Sequence, residues 1–409
     1  RPRPRAPVTR GSDSDRAGDR PCREVPAGAG GRQAGGPRQV KIIIAGGGTG
    51  GHTSAGLAVA AALQRHGVAD VQWIGSRRGI EARRVPEAGL PYHAIATGKL
   101  RRYWDWRNVS DLGLRVPTGY LQSLRLLRRL APNLLFATGG FVALSPALAA
   151  RSLRIPIVVH EQTAVPGLAN RIAGRFARRI ALTFPVAGDD FPSDRVALTG
   201  NPIRPELSGG SREDGYRLFG LATGTPLVYV TGGSQGSHRI NRTVGATLGP
   251  LLEACQIIHQ AGDNPETRDL EWLEAQARRL AEPLRHRYAL RSYVGAELGH
   301  VYAAADLVVG RSGAGTVNEL CHLGRPAIYI PLPGTSGDEQ AANARLAEAA
   351  GAAVLLPQVS LTPERLLDAV TALLANPAEL RAMGERALSL AVPDAADRIA
   401  RLILEAAAP

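Results

Sequence analysis

The chain has 409 residues, of which 44% are hydrophobic and 21% charged, and it carries a net charge of +13. This length exceeds what one compact domain usually holds, and the composition excludes a disordered or fibrous chain, so two globular domains are predicted. The three cysteines, Cys22, Cys255 and Cys321, are odd in number and far apart. That excludes a disulfide framework or a paired metal-binding motif and points to a reducing compartment.

Residues 1–38 are rich in Arg, Gly, Pro and Ala and are predicted to be a disordered basic tail without the apolar core of a signal peptide. In residues 1–40, nine arginines stand against Asp13, Asp15, Asp19 and Glu24, which puts +5 there and leaves +8 for the rest. Such a bias suits an anionic substrate, an anionic membrane surface or nucleic acid. Interleaved aromatic and basic residues are missing, so nucleic acid is the weakest of the three. No stretch of 18 apolar residues predicts a transmembrane helix.

From Val40 onward apolar runs alternate with helical patterns. Lys41–Ala45, Val71–Ile74, Leu134–Ala137, Ile155–His160 and Ile180–Phe184 read as strands. The pattern restarts with Leu227–Val230, Ile257–Gln260, Leu307–Gly310, Ala327–Pro331 and Ala353–Leu356. Strand–helix alternation of this kind predicts an α/β fold with parallel sheets covered by helices. The expected division is an N-terminal domain over 39–200, a Pro- and Gly-rich linker over 201–225 and a C-terminal domain over 226–409. Each domain opens with a strand, a glycine loop and a helix. Ligands of such sheets bind at the carboxyl ends of the strands, where both loops would lie.

The first loop, "AGGGTGGH", formally satisfies GxGxxG through Gly46, Gly48 and Gly51. A dinucleotide site would add a carboxylate at the end of the second strand, and Ser76 stands there instead. Gly50 and Gly51 would still expose amides at a helix N-terminus. His52 follows them, where the helix dipole disfavours its protonated form. It reads either as a general base or as a capping or substrate-orienting residue. The second loop, "TGGSQGS", offers Ser234 and Gln235 and lacks the lysine of a Walker loop, which suits a diphosphate held by amides and hydroxyls. Further on, Ser312, Gly313 and Gly315 precede a helix carrying Glu319, a carboxylate placed to bind ribose hydroxyls. His160, Glu161 and Gln162 emerge together past a strand end. No metal site is predicted, since the sole DxD, Asp13–Asp15, lies in the tail.

In "GGTGGH", "HEQ" with "GLANR", "GNPIR", "GGSQG" and "RSGAGTVNE", in that order, the chain resembles the MurG family of bacterial peptidoglycan glycosyltransferases from about residue 39 onward. The resemblance implies a GT-B fold, two doubly wound Rossmann-like domains facing each other across a cleft, with the last helix packing back on the first domain. It implies a metal-independent, inverting transfer of N-acetylglucosamine from UDP-N-acetylglucosamine to the 4-hydroxyl of the muramyl sugar of lipid I, giving lipid II, with no cofactor. On matching positions, His52 becomes the candidate base and Glu161 a second catalytic candidate. Thr49, Gly50, Gly51 and Thr163 would lie near the reacting groups. Arg204, Ser234, Gln235 and Gly313 would meet the nucleotide and diphosphate, Glu319 the ribose and Gln340 the sugar. The chain departs from the family pattern at Ala55, Phe141, Thr163, Gly315 and Glu339.

An acceptor on a polyprenyl tail implies a peripheral place on the cytoplasmic side of the cell membrane. The Arg-rich stretch Gly98–Leu130, with Tyr103, Trp104, Trp106 and Tyr120, reads in part as a patch for an anionic membrane surface. Three alternatives to this reading are a diacylglycerol glycosyltransferase, a UDP-N-acetylglucosamine 2-epimerase and a non-catalytic nucleotide-sugar-binding protein.

Overall fold

The computed structural model describes residues 40–98 and 115–408. The tail, Cys22, Tyr103, Trp104 and Trp106 therefore lie outside the described residues. The first half runs β1 (Lys41–Gly46), α1 (Gly50–Arg65), β2 (Asp70–Ser76), α2 (Glu81–Glu87), β3 (Tyr92–Ile95) and α3 (Val116–Leu130). It continues with β4 (Leu134–Gly139), α4 (Phe141–Ser152), β5 (Ile157–Glu161), α5 (Leu168–Gly174), β6 (Arg179–Leu182) and β7 (Val196–Leu198). The second half runs α6 (Arg212–Phe219), β8 (Leu227–Thr231), α7 (His238–Ala246), α8 (Leu248–Ala254), β9 (Gln256–Gln260), α9 (Asp269–Arg278), α10 (Glu282–Arg285) and β10 (Tyr288–Arg291). Then come α11 (Leu298–Ala304), β11 (Leu307–Gly310), α12 (Ala314–His322), β12 (Ala327–Tyr329), α13 (Glu339–Ala349), β13 (Ala353–Leu355), α14 (Pro363–Leu374), α15 (Pro377–Leu390) and α16 (Ala395–Ala407).

The strands form two parallel sheets, ordered β3-β2-β1-β4-β5-β6-β7 and β10-β9-β8-β11-β12-β13. Both follow the doubly wound Rossmann order, so the fold is the two-domain α/β architecture expected. The central strands are continuous apolar runs because helices cover both faces. In β1, Ile42 and Ile44 face one layer, with α1 and α16, while Ile43 and Ala45 face the other, with α3 and α4. Val228 and Val230 of β8 likewise face away from Leu227 and Tyr229.

The C-terminal helix α16 leaves the second sheet and packs on the first. Ile399, Ala400 and Ile403 are fully buried in the layer that holds Ile42 and Ile44. Each buried isoleucine contributes roughly 1.5–3 kcal/mol. Arg65 pairs with Asp397 at 3.0 Å, and Arg178 Nη1 donates to the Ala406 carbonyl at 3.0 Å.

The ten strands read from sequence are all present. Three more, β3, β7 and β10, have no counterpart in that reading. All three are sheet edges of three or four residues, largely half-exposed, so neither a long apolar run nor strict alternation marks them. The expected linker also differs from the structure. It contains α6, capped by Ser211 Oγ accepting from Asp214 N–H at 3.1 Å and closed by Gly220 at φ 67°. Tyr216, Leu207 and Leu221 join the second domain's core, so most of this segment is part of that domain. On α3, Tyr120 packs toward the core and its hydroxyl meets Ser152 Oγ at 2.9 Å, which removes it from the expected surface patch. None of the described helices is long and apolar enough to cross a membrane.

Candidate active site

The strand order reverses between β1 and β4 and again between β8 and β11. All four strand ends carry glycine turns. At the first reversal His52 is the third residue of α1, half-buried. Its Nδ1 lies 2.9 Å from the Thr138 carbonyl at the end of β4. A carbonyl only accepts, so Nδ1 carries the hydrogen and Nε2 keeps a free lone pair in the neutral ring. Burial lowers the pKa of His52 below the ordinary histidine value, and the Glu161 carboxylate, the Thr138 carbonyl and the Glu81 carboxylate oppose that shift. The ring rests on Gly139 and Gly140, at φ 97° and 76°. A Cβ at Gly139 would lie 3.0 Å from His52 Cε1, and one at Gly140 2.5 Å from the Gly47 carbonyl. Side chains are excluded there twice over, by space and by backbone conformation.

Thr49 is the N-cap of α1, yet its side chain makes no capping bond. The first amides of the helix, at Gly50 and Gly51, are therefore left to a ligand. Open space surrounds the Cβ direction of Gly50.

Glu161, offered by sequence as a second catalytic carboxylate, is 2% exposed and fully engaged. Its Oε1 accepts from Thr163 N–H at 3.0 Å and the Thr163 hydroxyl at 2.9 Å. Its Oε2 accepts from Gly167 N–H at 3.0 Å and Asn170 Nδ2 at 2.9 Å. Glu161 thus folds the loop 161–170 around itself, and the Thr163 hydroxyl points into that loop, also 2.7 Å from the Val165 carbonyl. Gln162 Nε2 donates to the same Thr138 carbonyl as His52, at 3.3 Å. His160 is buried, and its pKa is pushed down to about 4 by that burial.

At the second reversal, Ser234 and Gln235 are exposed on the loop after β8. Glu319 projects from α12 between Arg204 Nη2, 3.2 Å from Oε1, and the Tyr302 hydroxyl, 3.2 Å from Oε2. Burial raises the Glu319 pKa and Arg204 opposes the rise. Gly313 begins α12 with no side-chain cap. A Cβ at Gly315 would reach within 4.0 Å of Gly51 Cα, so the uncapped N-termini of α1 and α12 face each other across a narrow cleft. Gly50, Gly51, Arg204, Ser234, Gly315 and Glu319 all line one cavity of about 210 Å³ in that cleft.

The chain matches the glycosyltransferase family 28 N-terminal domain over residues 42–182 and the family 28 C-terminal domain over residues 227–399. It is 37% identical over 332 residues to the UDP-N-acetylglucosamine–N-acetylmuramyl-(pentapeptide) pyrophosphoryl-undecaprenol N-acetylglucosamine transferase of Lachnoclostridium phytofermentans, over 81% of this chain and 89% of that one. The crystal structure of Acinetobacter baumannii MurG superposes with a TM-score of 0.70 at 27% identity, over 90% of this chain and 99% of the other. The chain belongs to the MurG family. It is accordingly a glycosyltransferase. The UDP-GlcNAc 2-epimerase of Neisseria meningitidis bound to UDP-GlcNAc shares the fold alone, at 13% identity and a TM-score of 0.64, over 90% of this chain and 100% of that one.

Of the residues predicted for this MurG-family cleft, Thr49, His52, Glu161, Thr163, Gln235, Gly313 and Gln340 do not line the cavity. Gln235 is exposed but is not among the cavity residues. Gln340 Oε1 accepts from Leu332 N–H at 3.0 Å, and its carbonyl accepts from the Ser312 hydroxyl at 2.7 Å. The structure adds residues that the sequence reading missed. Asn343 is fully buried and joins the two domains, accepting from Ala164 N–H at 3.1 Å and donating to the Ser312 carbonyl at 3.1 Å. Arg84 reaches across to the Tyr293 hydroxyl at 3.3 Å. Asn201, inside the quoted "GNPIR", lines the cavity with an unpartnered Oδ1. Arg311 spans Ser237 Oγ at 2.7 Å, Gln358 Oε1 at 2.6 Å and the Ile330 carbonyl at 2.8 Å. Among the described residues, no group of three His, Cys, Asp or Glu side chains could hold a metal ion.

Proposed function

We propose that the protein transfers N-acetylglucosamine from UDP-N-acetylglucosamine to the 4-hydroxyl of the muramyl sugar of lipid I, forming lipid II, by a single inverting displacement that needs no metal. The observation that carries this reading is His52, a neutral imidazole with a fixed tautomer and a free Nε2 in the first turn of α1, whose uncapped N-terminus faces that of α12 across the cleft. Nε2 takes the proton of the acceptor 4-hydroxyl as its oxygen attacks the anomeric carbon. The bond from that carbon to the β-phosphate oxygen breaks, and UDP departs with the electron pair. The charge that develops on the diphosphate is met by amides at the start of α12 and by Ser234.

Glu319 holds the ribose hydroxyls, and Arg204 opposes the rise in its pKa that burial causes. Gln340 serves the sugar from the start of α13. The open amides of Gly50 and Gly51, beside Thr49, receive the diphosphate of the acceptor. Glu161 acts as a positioning residue, since all its hydrogen bonds are spent on its own loop. The enzyme would work as a peripheral protein on the cytoplasmic side of the cell membrane, where its lipid acceptor lies.

The test is UDP release from UDP-N-acetylglucosamine with and without a water-soluble lipid I analogue, in the presence of EDTA. Acceptor-dependent release that survives the chelator is expected. Release that ignores the acceptor would point to epimerisation or hydrolysis, and loss of release in EDTA would end the metal-free reading.

A further inference from the structure

The glycine spacing at the first loop is that of a phosphate-binding turn, yet the amide that would greet a phosphate is already bonded. Gly48 N–H donates to Glu81 Oε2 at 3.0 Å. A Cβ at Gly47 would lie 2.2 Å from the Glu81 carboxyl carbon, so the carboxylate fills the hollow of the turn. Glu81 comes from the first turn of α2 and is fully buried. Its Oε1 accepts from Ser76 N–H at 3.1 Å and from the Ser76 hydroxyl at 2.5 Å, at the end of β2. No cation pairs with it among the described residues. Its oxygens accept from two backbone amides and a hydroxyl, as an anion does in a backbone nest.

We infer that Glu81 is a built-in anion that occupies the first glycine loop in place of a ligand phosphate and thereby positions His52 for the transfer. The inference rests on the reading of His52 as the base. Gly48 is two residues before the start of α1, and His52 is the third residue of that helix. The loop is clamped from the other side as well, because a Cβ at Gly48 would lie 2.6 Å from the Phe141 ring. With Gly48 taken, the amides of Gly50 and Gly51 are the ones left for a ligand. This moves the anion site from the loop to the helix end, on the two residues that precede His52.

The carboxylate also supplies charge. The titratable groups that face His52 are Glu81 from α2, Glu161 at the end of β5 and His160 of β5. Two buried carboxylates hold back the fall in basicity that burial causes. Of the two, Glu81 alone ties that charge to the position of the glycine loop.

The test is a ring-resonance NMR titration of His52 in the full chain, assigned by its loss in His52→Ala, beside the pH profile of kcat/KM. Glu81→Gln keeps the size and removes the charge. The His52 midpoint is expected to fall by about half to one pH unit, and the acid limb of kcat/KM to move down with it. The donor KM is expected to stay within about twofold while kcat at pH 8 falls roughly tenfold. Glu81→Asp keeps the charge but withdraws it by one methylene. Its midpoint should stay within about 0.3 unit of the parent while kcat falls.

A Glu81→Gln protein with the parent midpoint would overturn the inference. A midpoint that moves while the acid limb stays would support Glu81 and remove His52 as the base. Should Glu81→Gln fail to fold by circular dichroism, Glu81→Asp decides. A lowered kcat at an unmoved midpoint supports the inference, and an unchanged kcat overturns it.

Discussion

At the first strand reversal the loop after β1 closes on Glu81, α1 starts without a side-chain cap, and a histidine with one free nitrogen stands at its head. At the second, the loop after β8 keeps Ser234 and Gln235 exposed, Ser237 caps α7, and the half-buried Arg204 and Arg311 reach in behind. The strand order is the same in both sheets. Two copies of one architecture have thus been furnished differently: on the proposed reading the first holds the base and the second a cradle for an anionic nucleotide. The lesson is that the glycine pattern locates the site, while the residues packed beneath each loop decide its chemistry.

This division breaks most visibly at His52. His52→Ala should lower kcat on the order of 10²–10⁴-fold and leave the KM for UDP-N-acetylglucosamine within about twofold. A raised donor KM with kcat intact would mean that the first loop binds rather than reacts, and the contrast between the halves would fail.

The halves resemble each other in one respect, a buried neutral histidine. His160 in the first has its pKa lowered to about 4, and His259 in the second to about 3, both chiefly by burial. His160 Nε2 lies 3.2 Å from the Gly200 carbonyl, and its Nδ1 has no partner to receive a second proton's charge. Both folded values lie below the ordinary 6.5, so the unfolded chain takes up protons first as the pH falls. Stability is therefore complete above about 6.5 and is lost on the way down through about 4 and about 3. Each group contributes a slope of up to roughly 1.4 kcal/mol per pH unit. Urea midpoints at pH 7, 6 and 5 should fall steadily. A flat series would show that these rings are protonated in the fold.

Glu319 tests the second cradle. Glu319→Gln removes the charge that Arg204 and Tyr302 serve. The Kd for UDP should rise about 10- to 100-fold by calorimetry, with kcat within about threefold at saturating donor. An equal loss in kcat and kcat/KM would instead place Glu319 in the chemistry.

The sheet cores were legible because buried parallel strands such as IIIA and LVYV are unbroken apolar runs. The glycine loops, His52 and Glu319 were legible for a related reason, since each stands at a fixed offset from such a strand, whereas Arg204 rests on the family resemblance alone. What escaped depends on packing across long separations. Glu81 has no local signature: the end of β2, where a dinucleotide-type carboxylate would stand, holds Ser76, and Glu81 lies on the helix that follows. Nothing in the local spacing says that Glu81 folds back to Gly48. Glu161 drew attention as a polar residue past a buried strand, but only the folded loop shows its four donors. Asn343 and Ala164 lie 179 residues apart in the chain and meet only when the domains do.

The smallest effect sharpens the contrast most, because it compares the same position in both halves. Ser237 and Thr49 are the N-caps of the helices that follow β8 and β1. Ser237 Oγ accepts from Ile240 N–H at 3.4 Å and from Arg311 Nη2 at 2.7 Å. Among the described residues Arg311 has no carboxylate partner, and burial lowers its pKa to about 10. Ser237→Ala should cost about 1 kcal/mol and lower Tm by about 2–4 °C. Arg311 would keep the Ile330 carbonyl and Gln358, so the donor KM should rise only about two- to fivefold with kcat unchanged. Thr49→Ala removes no capping bond, and its Tm should stay within about 1 °C of the parent. The two caps then report two strategies: one loop spends a hydroxyl on its own helix, and the other leaves the helix end bare for what it binds. Equal losses at both positions would show that Thr49 caps α1 in solution, and the bare end inferred for the acceptor's diphosphate would go with it.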